Sequence, residues 1–184
     1  AGDRLGAVCN EGEPIDTDRL LAALIKSIVP SHAGEVVVYD VKCSSRLDPL
    51  IRNCGGIPVM HRSGHSFMKQ KMLETNAPLA GEYSAHFFIK HRWFGFDDGL
   101  YAGARLLEIL SQGSESAASL FANLGERYAT GELKIEVNES DKFSLVEKIG
   151  QQAHFPEGAL TRIDGIRVDF PDGWGLVRAS NTSP

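Results

Sequence analysis

The sequence is short of the features that define several large classes of protein. Its three cysteines, Cys9, Cys43 and Cys54, include no Cys-x-x-Cys pair. An odd number cannot all be bridged within one chain, so reduced thiols and a reducing compartment, the cytoplasm, are expected. No apolar run approaches the length that spans a membrane, and the first residues lack the apolar core of a signal peptide. Neither a membrane anchor nor secretion is expected. Positive charge is in deficit: 19 Lys and Arg against 24 Asp and Glu leave a net charge of -5. That excludes a general attraction for nucleic acid or anionic membrane, so any phosphate binding has to be local. The Asn-x-Ser matches at Asn138 and Asn181 matter only for a secreted chain and are read as coincidence. No internal repeat is present.

What remains is an ordinary globular composition, 42% apolar and 23% charged over 184 residues, enough for one large domain or two small ones. Residues 16–29 open with a capping-type Asp and put Leu20, Leu21, Leu24, Ile25 and Ile28 on one helical face. The β-branched run at 35–39 suits a strand buried on both faces of a parallel sheet. Helix is then expected at 45–54, 66–75 and 98–111, and strand at 57–60, 79–82 and 85–89. Alternation at this spacing indicates an α/β layer with a mainly parallel sheet. From about Leu124 the texture changes to a smaller α+β domain: a strand at 133–137, a helix at 141–150 and a hairpin about Asp164-Gly165. A last strand-like run, Gly175-Leu176-Val177, stands near the end with nothing after it to pair with or cover it.

Several short runs carry chemistry. In Gly81-Glu82-Tyr83-Ser84-Ala85-His86, an extended backbone would turn Glu82, Ser84 and His86 to one side, presenting an acceptor, a hydroxyl and an imidazole together. Such a row can read adjacent sugar hydroxyls; an exposed polar strand face is the bland alternative. Lys42 follows an apolar strand, at the sheet edge where open α/β sheets bind ligands, and could neutralise phosphate or simply be solvated. His61 and His65 have the spacing of a zinc pair but lack its companions, whereas His65 alone, at a helix start, suits an anion. Arg178-Ala179-Ser180-Asn181-Thr182 gathers a guanidinium, hydroxyls and an amide in a loop after a strand, a set that suits phosphate and also suits a plain polar turn. The run from Arg92 to Gly99 reads as core packing plus a helix cap.

Taken in order, Asp40-Val41-Lys42-Cys43, Gly64-His65-Ser66, the 81–86 loop, the 92–99 run and Gly173 to Thr182 resemble motifs of the α-D-phosphohexomutases, in their bacterial phosphomannomutase/phosphoglucomutase branch. The resemblance covers essentially the whole chain. It implies part of a four-domain enzyme: residues 1–12 as the end of a metal-binding second domain, 13–126 as a sugar-recognition third domain, and 127–184 as a truncated phosphate-binding fourth domain. Asp3 and Arg4 then match the end of an Asp-Gly-Asp-Gly-Asp-Arg loop for Mg²⁺, with Ala1 where the middle Asp is expected. The family's sugar loop has the form GEMSGH, so Tyr83 stands for Met and Ala85 for the second Gly.

The same resemblance implies the chemistry. A phosphoserine in the absent first domain donates to a hexose phosphate, giving a 1,6-bisphosphate that turns over and returns its other phosphate; glucose 1,6-bisphosphate is intermediate and activator. His86, Lys42 and Arg4 are implied in catalysis, Asp3 in metal binding, and Glu82, Ser84, His65, Arg178, Ser180, Asn181 and Thr182 in substrate binding. Glucose and mannose phosphates are both expected substrates, and the intact enzyme is expected to be a monomer. Without its serine domain the chain is expected to be inactive alone. The alternatives are a phosphoglucosamine mutase, whose loop usually has Gln at position 83, and a non-catalytic phosphosugar-binding module.

Overall fold

The computed structural model describes residues 2–122 and 128–180, and the chain divides into two compact units, 1–126 and 127–184. In the first unit, α1 (Thr17–Ile28) buries Leu20, Leu21, Leu24, Ile25 and Ile28 along one face. Each such side chain contributes about 2 kcal/mol by leaving water. Asp16 precedes the helix as its sequence suggests, but the cap is made by its carbonyl, which accepts from the Arg19 and Leu20 N–H groups, and its side chain makes no capping bond.

β1 (Val36–Asp40) lies mid-sheet, parallel to β2 (Ile57–His61) on one side and β3 (Leu79–Gly81) on the other; β4 (Phe87–Ile89) joins β3 antiparallel. The strand order is β2-β1-β3-β4. Helix α3 (His65–Thr75) packs Met68 and Met72 against Val38, Ala80 and Phe88. Alternate strand residues Val37, Tyr39, Leu79 and Phe87 face the other way, into the core shared by α1, α2 (Leu47–Asn53) and α4 (Gly99–Gln112). The expected α/β class with a mainly parallel sheet is therefore found, and α5 (Ala117–Ala122), unforeseen from the sequence, adds Phe121 to that core. α2 carries the chain from β1 to one neighbour and α3 carries it back past β1 to the other, so the loops leaving β1 and β3 emerge side by side at the C-terminal ends of the strands.

Residues 2–5 dock against the turn between β3 and β4 and against the start of α4. Leu5 N–H donates to the Ala85 carbonyl at 3.1 Å, Arg4 pairs with His86 as an antiparallel bridge, and Gly99 N–H donates to the Gly2 carbonyl at 3.0 Å. A Cβ on Gly99 would fall 2.5 Å from the Arg4 carbonyl oxygen, so only glycine admits the segment at the start of α4.

The second unit departs from its sequence pattern in three places. Residues 133–137 alternate as a strand would, yet they are not a strand, and Leu133 and Ile135 stay 84% and 80% exposed, so the alternation finds no sheet to join. After α6 (Lys142–Gln152) come β5 (Ala159–Thr161), β6 (Ile166–Phe170) and β7 (Gly173–Val177), an antiparallel sheet in the order β5-β6-β7. The final strand, expected to lack a partner, pairs with β6 along its whole length, from Phe170 opposite Gly173 to Ile166 opposite Val177; the partner precedes it in the chain. The hairpin about Asp164-Gly165 forms, but Thr161 opposite Arg167 is the register of a three-residue loop, Ile163 to Gly165, in which Gly165 alone of the three takes a positive φ, of 84°. Buried Arg167 is satisfied by a two-nitrogen bond to Asp169 and lies over the Trp174 ring at 4.1 Å.

Candidate functional site

Residues 82–86 are the turn between β3 and β4 and not an extended run. Glu82 N–H donates to the His86 carbonyl at 2.9 Å, Ala85 N–H to the Glu82 carbonyl at 3.1 Å, and Ala85 holds a φ of 71°. The sequence expectation that Glu82, Ser84 and His86 come together holds for a different reason: Glu82 and His86 are cross-strand neighbours, and the tip folds Ser84 back onto Glu82. Ser84 Oγ donates to Glu82 Oε2 at 2.9 Å, while Glu82 Oε1 accepts the Gly64 N–H at 3.2 Å. Glu82 is only 2% exposed, and burial pushes its carboxyl above the ordinary range against the pull of Ser84, His86 and that N–H. The carboxylate thus ties the β3–β4 turn to the start of α3, and Ser84, half-buried, is the more accessible of the two.

Around this turn the parallel strands deliver the other expected groups. Lys42, two residues past β1, sets its ammonium 5.6 Å from the centre of the Tyr83 ring. Tyr83 N–H in turn donates to Asp40 Oδ1 at 3.1 Å, at the end of β1. His65, exposed at the first position of α3, has its ring centre 6.2 Å from that of His86. Lys42, His65, Ser84, Glu82 and His86 therefore gather at one edge of the first unit. Arg4 adds its backbone to this edge, and its side chain is exposed.

His86 is buried, and its Nδ1 lies 2.7 Å from Asp97 Oδ2 and 3.9 Å from Asp3 Oδ2. Asp97 was not singled out from the sequence, where its run read as structural. Burial raises its carboxyl above the usual range, opposed by His86, whereas a backbone hydrogen bond holds Asp3 below that range. The ligand atoms of Asp3, His86 and Asp97 lie within 4.8 Å of one another. The Mg²⁺ implied by the family resemblance asks for an octahedron of oxygens. An imidazole nitrogen is a poor donor to so hard an ion, and Ala1 offers no side-chain oxygen. The donors present here do not by themselves make a magnesium site.

In the second unit Arg178 follows β7 and donates Nε and Nη2 to Asp164 Oδ2 at 3.2 and 3.0 Å. A carboxylate on the hairpin turn thus holds the guanidinium expected to bind phosphate, a partner 14 positions away that the sequence did not reveal. Ser180 is half-buried beside it in the chain, and Asn181 and Thr182 lie outside the described residues.

The fold is that of an α/β/α unit followed by a small α+β unit, with polar groups collected where the parallel strands end. The chain belongs to the phosphoglucomutase/phosphomannomutase family: residues 16–128 match its alpha/beta/alpha domain III and residues 132–184 its C-terminal domain. It is 51% identical over 183 residues to a phosphomannomutase/phosphoglucomutase of Pseudomonas aeruginosa, and 48% identical over 185 residues to a phosphoglucomutase of Neisseria gonorrhoeae. These alignments cover 100% and 99% of this chain but 40% of each relative. A crystal structure of a phosphoglucomutase/phosphomannomutase family protein from Burkholderia thailandensis superposes with a TM-score of 0.92 at 44% identity, over 100% of this chain and 39% of that one. The chain thus spans about 40% of the length of the curated relatives it matches, their C-terminal part.

Proposed function

We propose that this chain is the sugar-recognition and phosphate-binding part of a phosphohexomutase that interconverts hexose 1-phosphates and 6-phosphates, of glucose and of mannose, through a 1,6-bisphosphate. The observation that carries the reading is the convergence of Lys42, His65, the Glu82–Ser84 pair and His86 at the ends of β1 and β3, in a chain of this family. In this reading residues 1–12 end a second domain, 13–126 form the sugar-reading domain and 127–184 part of the phosphate-binding one. The remaining domains, with the donor phosphoserine, are the partner it needs, and the setting is the cytoplasm.

The assignments follow from chemistry. Glu82 accepts from neighbouring sugar hydroxyls and Ser84 accepts from them or donates to them, Lys42 and His65 bring positive charge or N–H donors to a phosphate, and Arg4 adds a fixed charge. As the hydroxyl oxygen bonds to phosphorus and the phosphorus–serine bond breaks, His86 takes the hydroxyl proton. Arg178, with Ser180, Asn181 and Thr182, holds the phosphate that is not being transferred. Asp3 would offer one carboxylate to a Mg²⁺ whose other ligands lie outside this chain, and such an ion would supply positive charge to the phosphoryl group.

The reading is tested by titrating glucose 6-phosphate and mannose 6-phosphate into the chain by NMR. Both sugars are expected to move the amides of Lys42, His65 and Ser84. Ser84→Ala and Glu82→Ala should weaken both alike, by about 10-fold or more, the worth of a hydrogen bond to a charged group. No turnover is expected from the 184-residue chain by itself. Absence of any response in the β1 and β3 loops, or turnover by the isolated chain, would contradict the proposal.

A further inference from the structure

The run from Arg92 to Gly99 holds two adjacent aspartates that do different work. Asp98 carries the structural role: Oδ1 caps α4 by accepting from Tyr101 N–H at 2.9 Å, and Oδ2 accepts from Trp93 Nε1 at 3.1 Å. Trp93 is fixed in turn by stacking on Tyr101, with centroids 4.6 Å apart and planes within 8°. Asp97 is not needed for the cap. Its backbone is pinned beside β4 by a bridge to Phe88, and its carboxylate, 11% exposed, is turned to His86 Nδ1 at 2.7 Å.

We propose, on the mutase reading above, that Asp97 is a positioning residue that holds the neutral His86 ring with its proton on Nδ1 and its lone pair on Nε2. A carboxylate oxygen at 2.7 Å repels a bare nitrogen lone pair, so one proton must lie between the two groups. An imidazole nitrogen is intrinsically a stronger base than a carboxylate oxygen, so that proton is assigned to the ring. Asp97 Oδ2 sits off the N–H axis, and both Nδ1 and Asp97 Oδ1 are buried without an aligned hydrogen bond. Catalytic hydrogen bonds are often poorly aligned without substrate and tighten around it. Asp3, exposed and at 3.9 Å, is too far to dictate the tautomer.

The consequence is chemical. With the Nδ1 proton held by Asp97, Nε2 is the only ring atom that can take the proton of an attacking hydroxyl, and the resulting imidazolium keeps a carboxylate beside it. When the reaction reverses, Nε2 returns that proton while Nδ1–H stays in place. The arrangement follows the same logic as the carboxylate that orients a catalytic histidine in hydrolase triads.

The tautomer is read directly in the 184-residue chain labelled with ¹⁵N-histidine, by long-range ¹H–¹⁵N correlation, with His86 assigned through His86→Gln. The wild-type ring, when neutral, is expected as the Nδ1–H form. In Asp97→Asn the side-chain amide can donate to Nδ1, so the ring should switch to the Nε2–H form, while Asp3→Asn leaves it unchanged. A wild-type Nε2–H ring overturns the proposal whether or not the variant folds; so does an unchanged tautomer in Asp97→Asn, or a switch in Asp3→Asn. In the protein completed with the domains its relatives carry, Asp97→Asn should lower kcat on the order of 100-fold or more with little change in KM. A switched tautomer with unchanged kcat would also overturn it. Lack of wild-type turnover there would instead count against the mutase reading.

Discussion

Ala85 is the residue whose conformation the sequence made hardest to foresee. A methyl group stands where the family's loop has glycine, yet the backbone keeps a φ of 71° and the turn closes. An L-residue in that region costs about 1 to 2 kcal/mol, and the turn bears it because β3, β4 and the docked Leu5 fix both sides. Ala85→Gly removes the strain and adds about 0.4 to 1 kcal/mol of unfolded-state entropy, so the variant should be more stable by up to about 1.6 kcal/mol. Urea unfolding checks this, and a less stable glycine variant would refute the strain. The residues able to do chemistry here were legible one by one, because a carboxylate, a hydroxyl and an imidazole announce themselves by type. Asp97 was not: its neighbour Asp98 accounts for the cap, and only the bridge to β4 turns Asp97 toward His86.

Two hairpins of one design carry the candidate groups. Residues 83–85 and 163–165 are both three-residue loops whose last residue has a positive φ, 71° at Ala85 and 84° at Gly165. They differ in their surroundings. A Cβ at Gly165 would stand 2.3 Å from the Val177 carbonyl oxygen and 2.6 Å from the Arg178 Cβ, so here glycine is obligatory. Gly165→Ala should therefore destabilise the second unit by about 2 kcal/mol or more and displace Arg178 from Asp164. Hydrogen exchange across β5 and β6 reports the first effect and phosphate titration the second; protection equal to wild type would show that the loop can yield. Helix and strand positions were mostly legible because periodicity is local, and the failure at 133–137 follows from the same fact, since alternation marks a strand only where a sheet edge receives it.

For the molecule as a whole, a buried thiol ties stability to pH. Cys43, just past β1, is fully buried and donates to Asp40 Oδ1 at 3.0 Å. Burial first, then the charges of Asp40 and Asp18, raise its pKa well above the ordinary thiol range. The unfolded chain therefore ionises first. The thiol's contribution is intact below about pH 8.5 and declines as pH rises toward the raised native value, by about 1.4 kcal/mol per pH unit. Unfolding measured from pH 8 to 10.5 should fall more steeply for wild type than for Cys43→Ala, even if the variant is less stable at pH 7. Parallel slopes would mean that the native thiol ionises normally.

The sequence by itself determined the identity and order of most elements, the mainly parallel first unit, and the residue types able to meet a phosphorylated sugar. These depend on side-chain periodicity, on turn residues and on functional groups, all of which are local properties. Only the tertiary structure decided which groups meet. Asp40 supports the turn at Tyr83 from 43 positions away, Asp164 holds Arg178, Asp97 faces His86, and β6 supplies the partner for β7. Each of these contacts rests on strand register, those of the first unit also on the crossing of β1 by the chain, and a shift of one residue in register would turn every such side chain to the opposite face.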